Sequence, residues 1–401
     1  MAQKNGAHIA LLSVVASFIF NIFMGSVYIW SAFVPLLQNV YGLSIVQAST
    51  IFGTINITSC SLAPLIGYLL KKYSSQHVAA LGALVFSIGY CIASLFHGSF
   101  YSLFIGIGLF SGFGIATGIM TAIYVGAKNY PQKKGKVIGL LVSANGLGSI
   151  VLSKISTLLL EARIDTLHVF GMIGISSLII LSICARYIRV AKPTLTGIET
   201  KSPHHNRSVT AQLIFLFLCM FANSFGGFLI IGNLLPIALE AHLDTTIAVT
   251  TISLFALGNM CGRFSWGVLY DRLYKKALIL ALFCNALCLW MLALSPTPLA
   301  FLLITFLAGF SFGSSFSLYP AHIGTLFGEE GIRRFYPFII IGCGLSGIIG
   351  PTVGGWSFDT FSSYVPAFYI AAILALTGLL LTRFMQNQRE TVAVKECRNQ
   401  R

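Results

Sequence analysis

Twelve continuous apolar segments, each about 20 to 30 residues long, constrain the fold of this chain more than any other feature. A helix of about 20 apolar residues crosses a hydrocarbon core roughly 30 Å thick. Such runs predict α-helices, because lipid-exposed backbone must satisfy its own hydrogen bonds, and the alternating pattern of a membrane barrel is absent. We number the predicted spans 1 to 12 in chain order: 9–37, 45–70, 77–96, 100–127, 137–160, 167–189, 210–238, 246–270, 277–295, 298–327, 334–356 and 364–386.

The composition supports an all-α integral membrane protein. Only 9% of the residues are charged, against about 25% in soluble domains. The first apolar run continues to Leu37, which is too long for a cleavable signal peptide. Eight of the nine cysteines are dispersed through apolar segments, so we expect no disulfide framework, no metal site and no cofactor.

The chain divides into two six-span halves. The only long polar stretch between spans is 190–209, so we predict an N-terminal half at 1–189, a C-terminal half at 210–386 and a polar tail at 387–401. The halves repeat with an offset near 200 residues. The matching segments are Phe110-Ser-Gly-Phe-Gly114 with Phe310-Ser-Phe-Gly313, and Asn145-Gly-Leu-Gly-Ser-Ile150 with Cys343-Gly-Leu-Ser-Gly-Ile348. Duplicated six-span halves are typical of alternating-access carriers, which bind substrate between the halves near the membrane midplane.

The distribution of basic residues predicts the orientation. All Lys and Arg residues except Lys154, Arg163 and Arg263 fall on one side if both termini are cytoplasmic, as the positive-inside rule requires. This asymmetry accounts for most of the net charge of +14 and gives no reason to expect a nucleic acid partner. The short loops favour a prokaryotic plasma membrane, and we expect a monomer in the bilayer.

Arg263 is the strongest candidate for a functional residue. It lies eight residues before Asp271, about 12 Å into span 8 and near the middle of the membrane. A charge at that depth is costly unless it faces the protein interior, water or a counter-ion. Asp and Glu are absent from the twelve spans. The sequence therefore predicts a diffusible anion at Arg263, because a planar guanidinium suits a carboxylate. A structural arginine bonded to helix carbonyls is the alternative.

Several motifs resemble the major facilitator superfamily, and within it the oxalate/formate antiporter family, which includes monocarboxylate carriers. The first is Gly267-Val-Leu-Tyr-Asp-Arg272 after span 8, with a degraded copy at 67–72. The others are Gly25-Ser-Val-Tyr-Ile-Trp30, Gly112-Phe-Gly-Ile-Ala-Thr-Gly-Ile119, Tyr130-Pro-Gln-Lys-Lys-Gly135, Cys261-Gly-Arg-Phe-Ser-Trp-Gly267 and Phe312-Gly-Ser-Ser-Phe-Ser-Leu-Tyr-Pro320. The resemblance covers nearly the whole chain and implies a twelve-helix transporter.

The resemblance also implies particular site residues. The oxalate carrier of that family holds its dianion with an arginine on span 8 and a lysine on span 11. Arg263 matches the arginine, whereas Cys343 stands at the lysine position, so we expect a monoanion rather than oxalate. The resemblance places Tyr28 and Trp30 of span 1 and Phe312 and Phe316 of span 10 on the cavity wall. Thr117 replaces an aromatic residue of span 4 and implies a changed cavity.

Other polar residues have two interpretations each. Asn145 of span 5 is suited to hydrogen bonding with substrate or to helix packing, and Cys343 also lies in a small-residue stretch typical of close helix contact. Lys154 lies near a span end and is suited to reaching Glu161 or the headgroups, with substrate binding as the alternative. His322 near the end of span 10 is suited to lining a gate or to facing solvent, with titration near neutral pH as the alternative. Three residues of the duplicated loop motif, Asp271, Arg272 and Lys71, are predicted to form a gate between conformations.

The leading hypothesis is therefore secondary transport of a small organic anion, a monocarboxylate, with a proton or a counter-anion as the second transported species. A carrier of a neutral or zwitterionic nutrient, such as an amino acid or nucleoside, is the first alternative. A membrane-embedded enzyme would need clustered catalytic groups that the spans lack. A receptor that retains the carrier fold would bind ligand without net flux.

Overall fold

The computed structural model describes residues 2–191, 207–294 and 297–385, and within these ranges the regular structure is helical, without strands. Most of the predicted linker and the predicted tail lie outside the described residues. The chain forms two compact units, Met1–Ile198 and Glu199–Arg401.

Spans 1 to 6 form the first unit. Their helices are Ala2–Met24 and Trp30–Tyr41 for span 1, Ile45–Ser61 and Ala63–Lys72 for span 2, Ser75–Leu95 for span 3, Phe100–Asn129 for span 4, Lys134–Glu161 for span 5 and Thr166–Tyr187 for span 6. Side-chain caps fix several starts. Ser44 and Gln47 form a reciprocal capping box at span 2, and Ser74 caps span 3.

Three of these spans are less regular than the hydropathy predicts. Span 1 tightens to a 3-10 helix at Gly25–Ile29, and span 4 contains a π-helix at Phe104–Ser111. Span 2 bends by 40° at Leu62, two residues before Pro64. Proline at that point removes a hydrogen bond to the preceding turn and crowds its carbonyl, which explains the bend.

Spans 7 to 12 form the second unit. Span 7 is Arg207–Glu240, span 8 is Thr245–Leu273, span 9 is Lys275–Ala293 and span 12 is Val365–Leu381. Spans 10 and 11 form one run, Pro298–Phe361, that is interrupted only at Gly328, whose φ of 73° suits glycine. Residues 328–333, which lie between the two predicted spans, are therefore helical apart from Gly328.

Nine described helices are long and apolar enough to cross a membrane, or ten if the bent span 2 is counted. The run Pro298–Phe361, at 64 residues, is far longer than one crossing and supplies two spans. Span 8, which carries Arg263 and Asn259, is the one predicted span that this criterion misses. The protein is thus a multi-pass membrane protein whose helices agree with twelve predicted spans.

Acidic residues connect span ends in each unit. In the first unit, the Tyr41 hydroxyl donates to Asp165, which also accepts from the backbone N–H of Leu167 at the start of span 6. Burial alone would raise the pKa of Asp165, but these hydrogen bonds and nearby His168 lower the pKa below its usual value. In the second unit, Glu240 at the end of span 7 accepts hydrogen bonds from Ser363 Oγ and Tyr364 N before span 12.

Glycines allow spans 8 and 10 to pack backbone against backbone. A Cβ atom on Gly258 would lie 2.1 Å from the Phe306 carbonyl oxygen, and one on Gly262 would lie 2.0 Å from that of Phe310. From span 10, a Cβ on Gly313 would lie 2.7 Å from Arg263 N. Two facing Gly-x-x-x-Gly patterns therefore create a close seam, as small residues do in membrane helices.

Candidate substrate-binding site

Arg263 lies on this seam between spans 8 and 10. Its backbone nitrogen faces Gly313, where only hydrogen occupies the space that a side chain would need. The neighbouring indole of Trp266 donates from Nε1 to the Phe310 carbonyl oxygen at 3.0 Å, which connects the same two helices. The side chain of Arg263 is 2% exposed. Among the residues whose side chains the structure describes, it is the only Lys or Arg that is buried.

Two contacts orient the guanidinium. Arg263 Nε donates to Asn259 Oδ1 at 3.1 Å, one helical turn earlier on span 8. The guanidinium carbon lies 4.2 Å from the centre of the Phe316 ring on span 10. Such a cation–π contact contributes about 0.5 to 2 kcal/mol, with the larger values at desolvated sites. The structure thus brings Arg263 and Phe316 together, and it adds Asn259, which the sequence analysis missed.

Phe312 lies beside this pair but belongs to a packed aromatic cluster. Its ring centre is 5.4 Å from that of Phe316, 5.1 Å from that of Phe228 and 5.9 Å from that of Phe255. Gly227 of span 7 makes room for it, because a Cβ there would lie 2.1 Å from Phe312 Cδ2. Phe312 therefore packs against Phe316 from within the aromatic cluster, whereas Phe316 itself is half-buried.

Tyr319 is a second residue that the sequence analysis missed. It follows Phe312 and Phe316 at helical spacing on span 10 and is fully buried, within electrostatic range of the thiols of Cys219 and Cys343. Its hydroxyl has no hydrogen-bond partner among the described residues. Cys343 is also buried. A buried hydroxyl of this kind is costly unless something else completes its hydrogen bonding.

A buried polar network holds span 10 in place behind these residues. Asn223 Nδ2 of span 7 donates to Ser314 Oγ at 2.8 Å and to Ser315 Oγ at 2.9 Å. Asn285 of span 9 donates in turn to the Asn223 carbonyl oxygen. Through its side chain and its backbone oxygen, Asn223 thus connects span 7 to spans 10 and 9.

The remaining substrate-site candidates belong to the first unit. Trp30 is buried, and its indole donates to the Ala48 carbonyl oxygen of span 2 at 3.0 Å. Thr117 donates to its own helix at Phe113 O and packs against span 3. Asn145 is buried in span 5, and its backbone oxygen lies against Gly25 of span 1. The side chain of Tyr28 lies outside the described part of the structure.

The predicted gate residues lie at span ends. Asp271 is half-buried in the last turn of span 8, and Arg272 beside it is exposed. Lys71 is exposed in the corresponding last turn of span 2. The two copies of the motif occupy equivalent places in their units, and a role as a gate stays a prediction. Lys154 is exposed on span 5.

Comparison with known sequences places these observations in a family context. The sequence model of the Major Facilitator Superfamily matches residues 13–216 and 216–396. The oxalate:formate antiporter of Oxalobacter formigenes is 24% identical over 93% of this chain and 90% of its own length. Mouse monocarboxylate transporter 12 is 23% identical over 89% of this chain and 81% of its own. An uncharacterised transporter of Escherichia coli, YhjX, is 23% identical over 87% and 88%.

Solved structures show the same fold. The fucose:proton symporter of E. coli superposes with a TM-score of 0.71 at 15% identity, covering 94% of this chain and 98% of that one. The proton:xylose symporter XylE superposes with a TM-score of 0.67 at 14% identity, covering 95% of each chain. At these identities the likeness establishes the architecture of twelve helices and leaves the substrate open.

Proposed function

The chain belongs to the Major Facilitator Superfamily, and from that premise we propose that it is a secondary active transporter of a small organic monocarboxylate, working by alternating access. Because the family is one of transporters, the chain is not an enzyme. The observation that carries the proposal is Arg263, a cation that is 2% exposed in the middle of span 8.

The setting of Arg263 supports an anionic substrate. Holding a cation at this depth has a cost that a carboxylate offsets when it enters the site. The contacts from Asn259 and Phe316 reduce the number of positions the guanidinium can adopt. A preorganised fork of N–H donors loses less entropy when it binds a carboxylate in two-point geometry. Tyr319 offers a further hydrogen bond to an anion that reaches its hydroxyl.

The charge balance favours a monoanion. Cys343, the span 11 residue at the lysine position of the related oxalate carrier, is neutral and buried. A dicarboxylate would bring two negative charges to one buried cation, and the second charge would have to be desolvated without compensation. The similarity to monocarboxylate transporters agrees with this preference. Exchange against another anion or co-transport with a proton would complete the cycle.

We further propose that both termini are cytoplasmic and that the protein functions as a monomer in a prokaryotic plasma membrane. The uneven distribution of Lys and Arg supports the orientation. Bacterial proteins among the relatives support the membrane.

Transport of substrates that differ in net charge tests the proposal. Purified protein in liposomes preloaded with unlabelled anion would be supplied with radiolabelled formate, lactate, pyruvate and oxalate, and separately with alanine and fucose. We expect saturable exchange of one or more monoanions and little exchange of oxalate. Transport confined to alanine would support the zwitterionic alternative, and transport confined to fucose would contradict an anion site. Protein-free liposomes provide the control for passive entry of the protonated acids.

A further inference from the structure

A second polar contact crosses the seam of spans 8 and 10, beyond the Arg263 site. Tyr270 lies seven residues after Arg263 on span 8, which is two helical turns or about 10 Å further along the same face. Across from it on span 10, His322 lies six residues after Phe316. The distance between Tyr270 Oη and His322 Nδ1 is 3.0 Å, and both residues are buried.

The hydrogen bonds around Tyr270 favour one tautomer of the imidazole. Thr325 Oγ1 donates to the Ala321 carbonyl oxygen at 2.9 Å, so it accepts the hydroxyl hydrogen of Tyr270 at 3.2 Å. With that hydrogen used, Tyr270 Oη accepts at His322. This arrangement assigns the hydrogen of His322 to Nδ1 and the lone pair to Nε2.

That lone pair is the unusual feature. His322 is 0% exposed, and its Nε2 has no hydrogen-bond partner among the described residues. Within the described part of the chain, the titratable and charged groups that act on the ring are Tyr270 of span 8 and Lys275 at the start of span 9. Neither is a carboxylate. A buried basic nitrogen without a donor is an unfavourable arrangement that proteins retain where it has a use.

We propose that His322 is the proton-binding site of this carrier, and that a proton on Nε2 travels together with the anion held at Arg263. This inference rests on the proposed function, since it names the second transported species. Nε2 takes a proton from water when the transporter is open to one side of the membrane. It returns the proton to water when the transporter is open to the opposite side. An N–H bond forms at Nε2 as an O–H bond of a hydronium ion breaks, release reverses both changes, and Nδ1 continues to donate to Tyr270 throughout.

The arrangement provides charge balance along one seam. Lys275 is the cation that acts on His322, so a second charge on the imidazole is more favourable when an anion is bound close by. The anion site lies about 10 Å away on the same pair of helices. Loading both sites adds one positive and one negative charge, which makes the transported pair neutral. Tyr270 acts as a positioning residue, because it fixes which nitrogen takes the proton.

The tautomer can be tested without any substrate. Protein labelled with ¹⁵N-histidine in lipid nanodiscs would be compared with the His322→Gln variant, so that the missing signals identify His322. We expect a neutral ring with hydrogen on Nδ1 and a free lone pair on Nε2 at pH 7.5. In Tyr270→Phe, we expect a mixture of tautomers. Hydrogen on Nε2 in the wild-type protein would overturn the proposal, whatever the protein transports.

Coupling is tested by accumulation under a pH gradient. With one proton per anion, a gradient of one pH unit, acidic outside, drives about tenfold accumulation of labelled pyruvate at equilibrium. We expect this in the wild type and in His168→Gln, whose ring is exposed. His322→Gln should still exchange pyruvate for pyruvate, but the internal pyruvate concentration should not exceed the external one. Tenfold accumulation by His322→Gln would overturn the proposal. Absence of pyruvate exchange in the wild type counts against the proposed function, and the NMR result still decides the tautomer.

Discussion

The glycine seam makes a quantitative prediction for Gly262→Ala. The added Cβ would lie 2.0 Å from the Phe310 carbonyl oxygen, about 1.4 Å short of the 3.4 Å at which ordinary contact begins, and 2.8 Å from the Phe310 carbonyl carbon. Both atoms are backbone, so no rotamer change relieves the clash and the two helices must separate. Overpacking of this kind costs about 1 to 3 kcal/mol, and the larger values apply where the neighbour is rigid.

The loss should be visible in thermal unfolding of the purified protein in detergent. At about 2 to 4 °C per kcal/mol for a unit of this size, the unfolding temperature should fall by roughly 2 to 12 °C. Gly355→Ala is the matched control, because a Cβ at Gly355 meets no atom within 4 Å. That variant should be neutral or slightly more stable, since alanine is the better helix former.

A second glycine of the same seam separates stability from function. Gly258→Ala places its Cβ 2.1 Å from the Phe306 carbonyl oxygen, so its clash matches that of Gly262→Ala. Gly258 lies more than one turn from Arg263, whereas Gly262 precedes it directly. We expect similar losses in unfolding temperature and a larger loss of anion affinity in Gly262→Ala. Equal unfolding temperatures for Gly262→Ala and Gly355→Ala would refute the close packing of spans 8 and 10.

Two further predictions concern single contacts. Phe316→Leu removes the ring whose centre lies 4.2 Å from the guanidinium carbon of Arg263. Loss of about 1 to 2 kcal/mol of binding free energy should raise KM for the anion roughly 5- to 30-fold. Phe264→Leu, on the exposed side of span 8, is the control and should match the wild type. Because the pKa of Asp165 is lowered in the folded protein, its contact with Tyr41 stabilises the fold above the unfolded value of 3.8 and loses its effect as pH falls through the folded pKa. Asp165→Asn should therefore unfold at a lower temperature than the wild type at pH 6, with the difference narrowing toward pH 3; a constant difference would contradict that reasoning.

Hydropathy was sufficient to predict most spans, because an apolar run is a local property of the sequence, although span 8 falls short of the hydropathy criterion. The limits of span 6, for example, follow from the apolar run after Asp165, which caps the helix. The division of span 1 at Gly25–Ile29 and the π-helix at Phe104–Ser111 were not predictable from apolar runs. The sequence does carry a signal for the bend of span 2, namely Pro64, and a signal for the close packing of spans 8 and 10, namely the four-residue spacing of their glycines.

The candidate site was only partly predictable for the same physical reason. The depth of Arg263 in the membrane is a prediction from counting residues along one helix, and the structure adds that its side chain is buried. Asn259 has a detectable signal, because an amide one turn before an arginine lies on the same helix face. The unpartnered groups of Tyr319 and His322 depend on what other spans bring to them. Hydrogen bonds between distant spans are a property of tertiary packing that one sequence does not reveal.

The central claim is that Arg263 binds the substrate carboxylate. The most direct measurement is counterflow of the best monoanion by reconstituted wild type, Arg263→Lys and Arg263→Gln, each checked for an unchanged unfolding temperature. The claim predicts that Arg263→Gln loses transport and that Arg263→Lys retains a small fraction with a raised KM, because lysine keeps the charge but not the planar fork. Folded Arg263→Gln protein that exchanges the anion with wild-type KM would contradict the claim.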